Sequence, residues 1–309
     1  MRLRRRAARL RPDLARAELR AYELLRATIN ERELTALIRS GAIESIIADM
    51  LPDSLVDSAF APLRANLQTG LIDAGDLASR DLPVSWRTSF HTLNPQVITA
   101  AQKIDTRVYQ GLIKADLKET FRQHILAGME KGHPPAKIAR GARQMLGLAP
   151  NQEAAVRNFR QMLEDGDRTA LRRALRDRRF DRTLNRALGV RGDGLTANQI
   201  TRMTDRYRKR MIAFNANTHA RTASIDVQKA AQRMTWEDAI DRDLVERQVL
   251  RRTWLTVGDD RVRDEHVAMN GQTVGFDERF SNGEMEPGES TFNCRCVARV
   301  FVARAALAA

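Results

Sequence analysis

The residues best suited to chemistry lie near the C-terminal end. Cys294 and Cys296 are the only cysteines among 309 residues. On an extended strand, positions i and i+2 project to one face, where two thiols grip one soft cation but do not easily bridge each other. His266 is the natural third ligand, and Asp260, Asp264 or His219 are candidates for a fourth. A Cys-x-Cys with a distant His is a weaker zinc signature than paired Cys-x-x-Cys knuckles, and two small buried hydrophobes in a strand are the simpler expectation. No cofactor is therefore expected, with structural zinc as the option. Asp260, Arg261, Arg263 and His266 also compose parts of a metal-dependent nuclease or hydrolase, the carboxylate and imidazole holding a cation while arginine neutralises phosphate. Against catalysis, nine acidic residues face three arginines over 257–292 and would repel a polyanionic substrate. No Walker-type phosphate loop, His-Glu-x-x-His, Gly-x-Ser-x-Gly or Gly-x-Gly-x-x-Gly is present. The expectation is a non-enzymatic protein, with a nuclease or hydrolase using Asp260, His266 and Cys294/Cys296 as the alternative.

Cationic residues define the second candidate site. The formal net charge is +13. Residues 1–26 hold nine arginines against three acids, and residues 168–191 hold nine against two. These two stretches account for the whole excess, so the rest of the chain averages to neutral. Arginine-rich faces neutralise phosphates and release counterions, which gives salt-sensitive binding without sequence preference. Arg172, Arg173, Arg176 and Arg179, at helical steps, are expected to share one helix flank, with Arg4, Arg5 and Arg6 acting from a flexible end. The opposed reading is a solvated surface or a protein-docking face.

Helical periodicity positions these residues over most of the chain. Leu10, Leu14, Ala17, Ala21 and Leu24 form one apolar stripe. Val97, Ala101, Ile104, Val108, Leu112 and Leu117 form a second, and Ile138, Ala142 and Met145 a third. Pro134-Pro135 opens a helix, residues 168–188 read as another, and Gly-Val-Arg-Gly-Asp-Gly-Leu at 189–195 reads as a link. Thr196 and Gln199 form a capping box ahead of a long helix reaching about 232, with Ile200, Met203, Tyr207, Met211 and Phe214 on its buried side. Near residue 250 the period changes. Segments 252–257, 272–274 and 295–302 are short, β-branched or aromatic, and bounded by Gly or Asp, which reads as a small sheet. The expected fold class is α+β, predominantly helical with a small C-terminal β-containing module. The expected division is 1–92, 93–193 and 194–309.

Composition bounds the rest. With 43% apolar and 29% charged residues the chain is globular rather than disordered. No apolar run reaches membrane-spanning length, and the basic start lacks the apolar core of a secretory signal. Two cysteines in one triplet exclude a disulfide framework and fit a reducing cytoplasm.

The ordered series Trp254, Asp260-Arg261-Val262-Arg263, His266, Asn270-Gly271, Phe280, Gly283, Pro287 and Asn293-Cys294-Arg295-Cys296 resembles the C-terminal signature of the phage Mu F-like head-morphogenesis family. His219-Ala220-Arg221-Thr222 is similar to the family's Ala-Arg-Thr-Glu stretch, with Ala223 standing where the family usually carries Glu. The resemblance covers about 196–302. It implies a minor capsid protein in the virion of a tailed phage or phage-like particle, made in the host cytoplasm. The implied partners are the portal or inner capsid, with a link to genome packaging or delivery; the arginine-rich stretches add sequence-independent contact with double-stranded DNA as an expectation, and neither a membrane nor a small-molecule substrate is expected. Some relatives carry a C-terminal toxin, and none is expected in the eight residues after Phe301. Within the module, Trp254, Asp260, Arg263, His266, Asn293 and Cys296 are expected to hold the structure together.

Overall fold

The computed structural model describes residues 2–189 and 192–303. Val190 and Arg191, inside the expected link, lie outside the described residues. In chain order the helices are α1 (Arg2–Thr28), α2 (Glu31–Ser40), α3 (Ile43–Met50), α4 (Asp53–Ala59), α5 (Ala61–Ser79), α6 (Pro95–Ile104), α7 (Ala115–Glu130), α8 (Pro135–Met145), α9 (Pro150–Glu164), α10 (Asp181–Ala187) and α11 (Ala197–Asp241). Then come β1 (Leu250–Leu255), the single turn α12 (Asp264–Val267), β2 (Thr273–Gly275) and β3 (Val297–Val302). Among the described residues the structure is 68% helical and three strands form one antiparallel sheet, as the α+β reading requires. No helix among the described residues is long and apolar enough to cross a membrane.

The chain packs as two compact units, 1–15 with 62–110 and 217–309, and 16–61 with 111–216. Each of the three expected blocks, 1–92, 93–193 and 194–309, contributes residues to both.

The unit of 16–61 and 111–216 is helical. Its fully buried side chains include Tyr22, Leu25, Leu34, Ile46, Phe60, Phe121 and Phe159. Tyr22 meets Phe60 edge-on at 5.4 Å, and Phe159 stacks on Tyr207 at 4.2 Å. Such pairs add to the area they bury. Pro135 occupies the first turn of α8, with Ile138, Ala142 and Met145 buried. The capping box before α11 is present, since Gln199 N–H donates to Thr196 Oγ1 (3.3 Å) and Thr196 N–H to Gln199 Oε1 (2.9 Å).

Several expected features differ. Leu24 and Phe214 are about half exposed, and Tyr22 and Leu25 take the buried places in α1. Residues Asp105–Lys114 form π-type turns. In these turns i and i+5 share a face, so Ile113 rather than Leu112 is buried after Val108. Residues 168–188 are not one helix. Asp167 and Asp177 each accept a hydrogen bond from a backbone N–H two residues on, starting short 3₁₀ turns at Arg168–Arg172 and Arg178–Phe180 before α10. That competition by Asp side chains dissolves the expected arginine flank.

Asp177 is the anchor of this segment. Hydrogen bonds from Arg179 hold its carboxyl far below the usual carboxylate range, and Arg206 adds to the effect. A folded value depressed below the unfolded value of about 3.9 contributes stability above that pH, lost as pH falls through the folded value. Asp177→Asn is therefore expected to destabilise the protein at pH 7 and to match wild type more closely near pH 3. Urea unfolding at both pH values measures this, and an equal deficit at both would contradict the assignment.

In the other unit, β1 is the central strand, flanked by β2 and β3. Arg252 pairs with Val274 and Val300, and Trp254 with Ala298. Ala7 of α1, Ile225 of α11 and Val297 of β3 share one apolar cluster, with Leu3 and Leu255 against it.

Candidate functional site

β1 alternates, sending Leu250, Arg252 and Trp254 to its buried face. Trp254 is fully buried with Met269, Phe280, Cys294, Cys296 and Ala298. Its ring meets Phe280 edge-on at 5.1 Å and His266 at 5.2 Å. The cysteines lie just before β3 rather than within it. Both are still buried, and Asn293 just ahead of them takes a left-handed conformation (φ 61°).

His266, Cys294 and Cys296 converge. Their ligand atoms lie within 4.8 Å of one another, and all three side chains are buried. His266 Nδ1 is 3.5 Å from Cys294 Sγ and 3.8 Å from Cys296 Sγ. The hydrogen bond from Cys296 lowers the Cys294 thiol, and the same contact together with burial raises Cys296, so the pair favours one thiolate and one thiol. Asp260 does not join them. It is exposed and makes no ion pair or side-chain hydrogen bond among the described residues. Among those residues no fourth His, Cys, Asp or Glu completes the cluster, Asp264 and His219 included. The four-ligand set and the hydrolase constellation of Asp260, His266, Cys294 and Cys296 are thus reduced to three.

The structural role expected of Asp260 falls to its neighbour. Asp259 accepts two 2.6 Å hydrogen bonds from Arg295, a bidentate pair tying the 259–263 turn to the residue between the cysteines. Arg263 Nη2 donates to Phe292 O (2.9 Å). Arg221 Nη1 donates to Asn293 Oδ1 (2.8 Å), and Asn293 N–H donates to Thr222 Oγ1 (2.9 Å). The Arg-Thr stretch of α11 therefore holds the Asn-Cys-Arg-Cys motif in place. Ala223 is buried beside it.

The acidic segment is held from within by cations that sequence reasoning missed. Arg252 is fully buried and donates to the carbonyls of Met285, Glu278 and Gly275, with Glu286 at 3.1 Å. Lys229 donates to Pro287 O. Arg107 pairs with Asp226 and donates to Gly288 O (2.6 Å) and Thr291 O (3.0 Å). The signal was a charged residue at a buried register, Arg252 between Leu250 and Trp254. Glu284 works in the opposite sense. Burial raises its carboxyl, but donors at Ser290 and Gly288 N–H prevail and hold it below its usual value.

Most of the candidate phosphate-binding arginines have structural partners. Arg4 donates to the carbonyls of Arg295 and Leu255 at 3.1 Å from within helical α1, so its end is not free. Arg6 pairs with Asp81, Arg176 with Asp181 and Arg179 with Asp177. Arg5 and Arg172 are exposed and Arg173 is half-buried, none in an ion pair among the described residues.

No curated protein and no solved structure matches the chain. Residues 184–299 do match the model of the family described as Phage Mu protein F like protein, so the C-terminal region that holds Trp254, His266 and the two cysteines is similar to that family.

Proposed function

We propose that this chain is a minor capsid protein of a tailed phage or phage-like particle, acting in head morphogenesis at the portal vertex or inner capsid and in DNA packaging or delivery. The family match over 184–299 carries the reading. The interior of the module supports a structural role, since Arg252, Arg107 and Lys229 donate to backbone carbonyls, Arg252 pairs with Glu286 and Arg107 with Asp226. Co-expression with the portal protein of the same particle tests it. Co-sedimentation of the two is expected, and separate sedimentation would contradict portal association.

Contact with double-stranded DNA is part of the proposal. Residues 168–210 hold thirteen arginines and one lysine against four aspartates. Arg172, Arg178, Arg182, Arg186 and Arg202 are exposed and, like half-buried Arg173, outside any ion pair among the described residues; these six take the place of Arg176 and Arg179 as the phosphate contacts of this stretch. With about six contacts, affinity is expected to fall roughly 10³-fold between 50 and 200 mM salt, alike for any sequence. Gel retardation measures it. Absence of retardation at 50 mM salt would leave a purely protein-binding accessory.

A further inference from the structure

We propose that His266 Nδ1 and the Sγ atoms of Cys294 and Cys296 bind one zinc ion, with the fourth position taken by water. This does not rest on the head-morphogenesis reading. Zinc bonds of about 2.3 Å to sulfur and 2.0–2.1 Å to nitrogen put tetrahedral ligands roughly 3.6 Å apart for an N–S pair. The observed N–S distances, 3.5 and 3.8 Å, bracket that spacing without movement of the backbone. Two sulfurs and one imidazole nitrogen are a soft donor set suited to zinc. Water fills the fourth position because no further His, Cys, Asp or Glu among the described residues reaches the cluster.

The surroundings are those of a metal-ligating histidine. His266 Nε2, the nitrogen facing away from the sulfurs, lies 3.8 Å from Glu265 Oε1. That separation is longer than a hydrogen bond, so Glu265 would orient the ring only after a small side-chain rotation. Trp254 Nε1 is buried in the same cluster as both cysteines and has no hydrogen-bond partner among the described residues, an orphaned donor in the wall of the site. Lys229 and Arg4 supply positive potential to the same sulfurs. A bound ion would join the α12 turn to the segment before β3, closing the loop between 266 and 294.

Elemental analysis of the full chain tests this, after production with zinc and passage through metal-free reducing buffer. Wild type and Asp260→Asn are expected to carry about one zinc per chain, and Cys294→Ser/Cys296→Ser to carry none while keeping its helical circular dichroism. Should the double variant lose its helical signal, cobalt(II) added to the apo wild-type chain decides. A thiolate-to-cobalt charge-transfer band with intense tetrahedral d–d absorption is expected. Folded wild type that holds no zinc and gives no such band overturns the proposal, as does zinc retained in the double variant.

Discussion

Arg252→Met is expected to destabilise the C-terminal module by about 3–5 kcal/mol, the range for removing one partner of a buried ion pair. Methionine fills a similar volume, so the loss is electrostatic rather than a cavity. It leaves the carbonyls of Gly275, Glu278 and Met285 without their donor and Glu286 without its cation. The guanidinium also stands 5.2 Å from the Phe280 ring, a contact the variant loses. Hydrogen exchange at the amides of β1 and β3 reads this directly. Faster exchange there, with α7–α9 amides little changed, is the expected pattern. Unchanged protection of the sheet would mean that the acidic segment does not depend on its buried cation.

Gly288→Ala is expected to cost about 2–5 kcal/mol, combining roughly 1–2 for a left-handed residue with a side chain and 1–3 for overpacking. Gly288 has φ +79°, and a Cβ there would stand 2.5 Å from Cys294 Cβ and 2.8 Å from its Sγ. Gly283 is the matched control. Its φ is +82° with nothing within 4 Å of a built Cβ, so Gly283→Ala carries only the backbone strain. The difference between the two variants, measured by chemical unfolding, isolates the contact with Cys294. Equal effects would show that the segment shifts away and that the cysteine position is not tightly held.

Local signals were legible in the sequence wherever local physics decides. The Thr196–Gln199 box, Pro135 at the start of α8, and the change from helical to alternating pattern near 250 each depend on neighbours within a few residues. The misreadings share a different cause. An arginine flank over 168–188 is helical by spacing, but Asp167 and Asp177 cap shorter turns and break it. Asp259 and Asp260 are adjacent and chemically identical, and only the distant Arg295 selects between them. Arg4 looked like a free end because its partners, the carbonyls of Leu255 and Arg295, lie more than 250 residues away in the chain. Of the candidate cluster, His266, Cys294 and Cys296 come together and Asp260 does not. Spacing identified residues able to bind a metal, but which of them meet depends on a sheet register that spacing does not encode.

A chain that belongs to a phage head must be found in the finished particle. Quantitative mass spectrometry of density-purified particles, from an induced culture of the organism that encodes it, measures this. Its peptides are expected at a few copies per particle, co-purifying with portal and capsid proteins through a high-salt wash. Expression in the cell with no peptides in purified, DNA-filled particles would contradict the account.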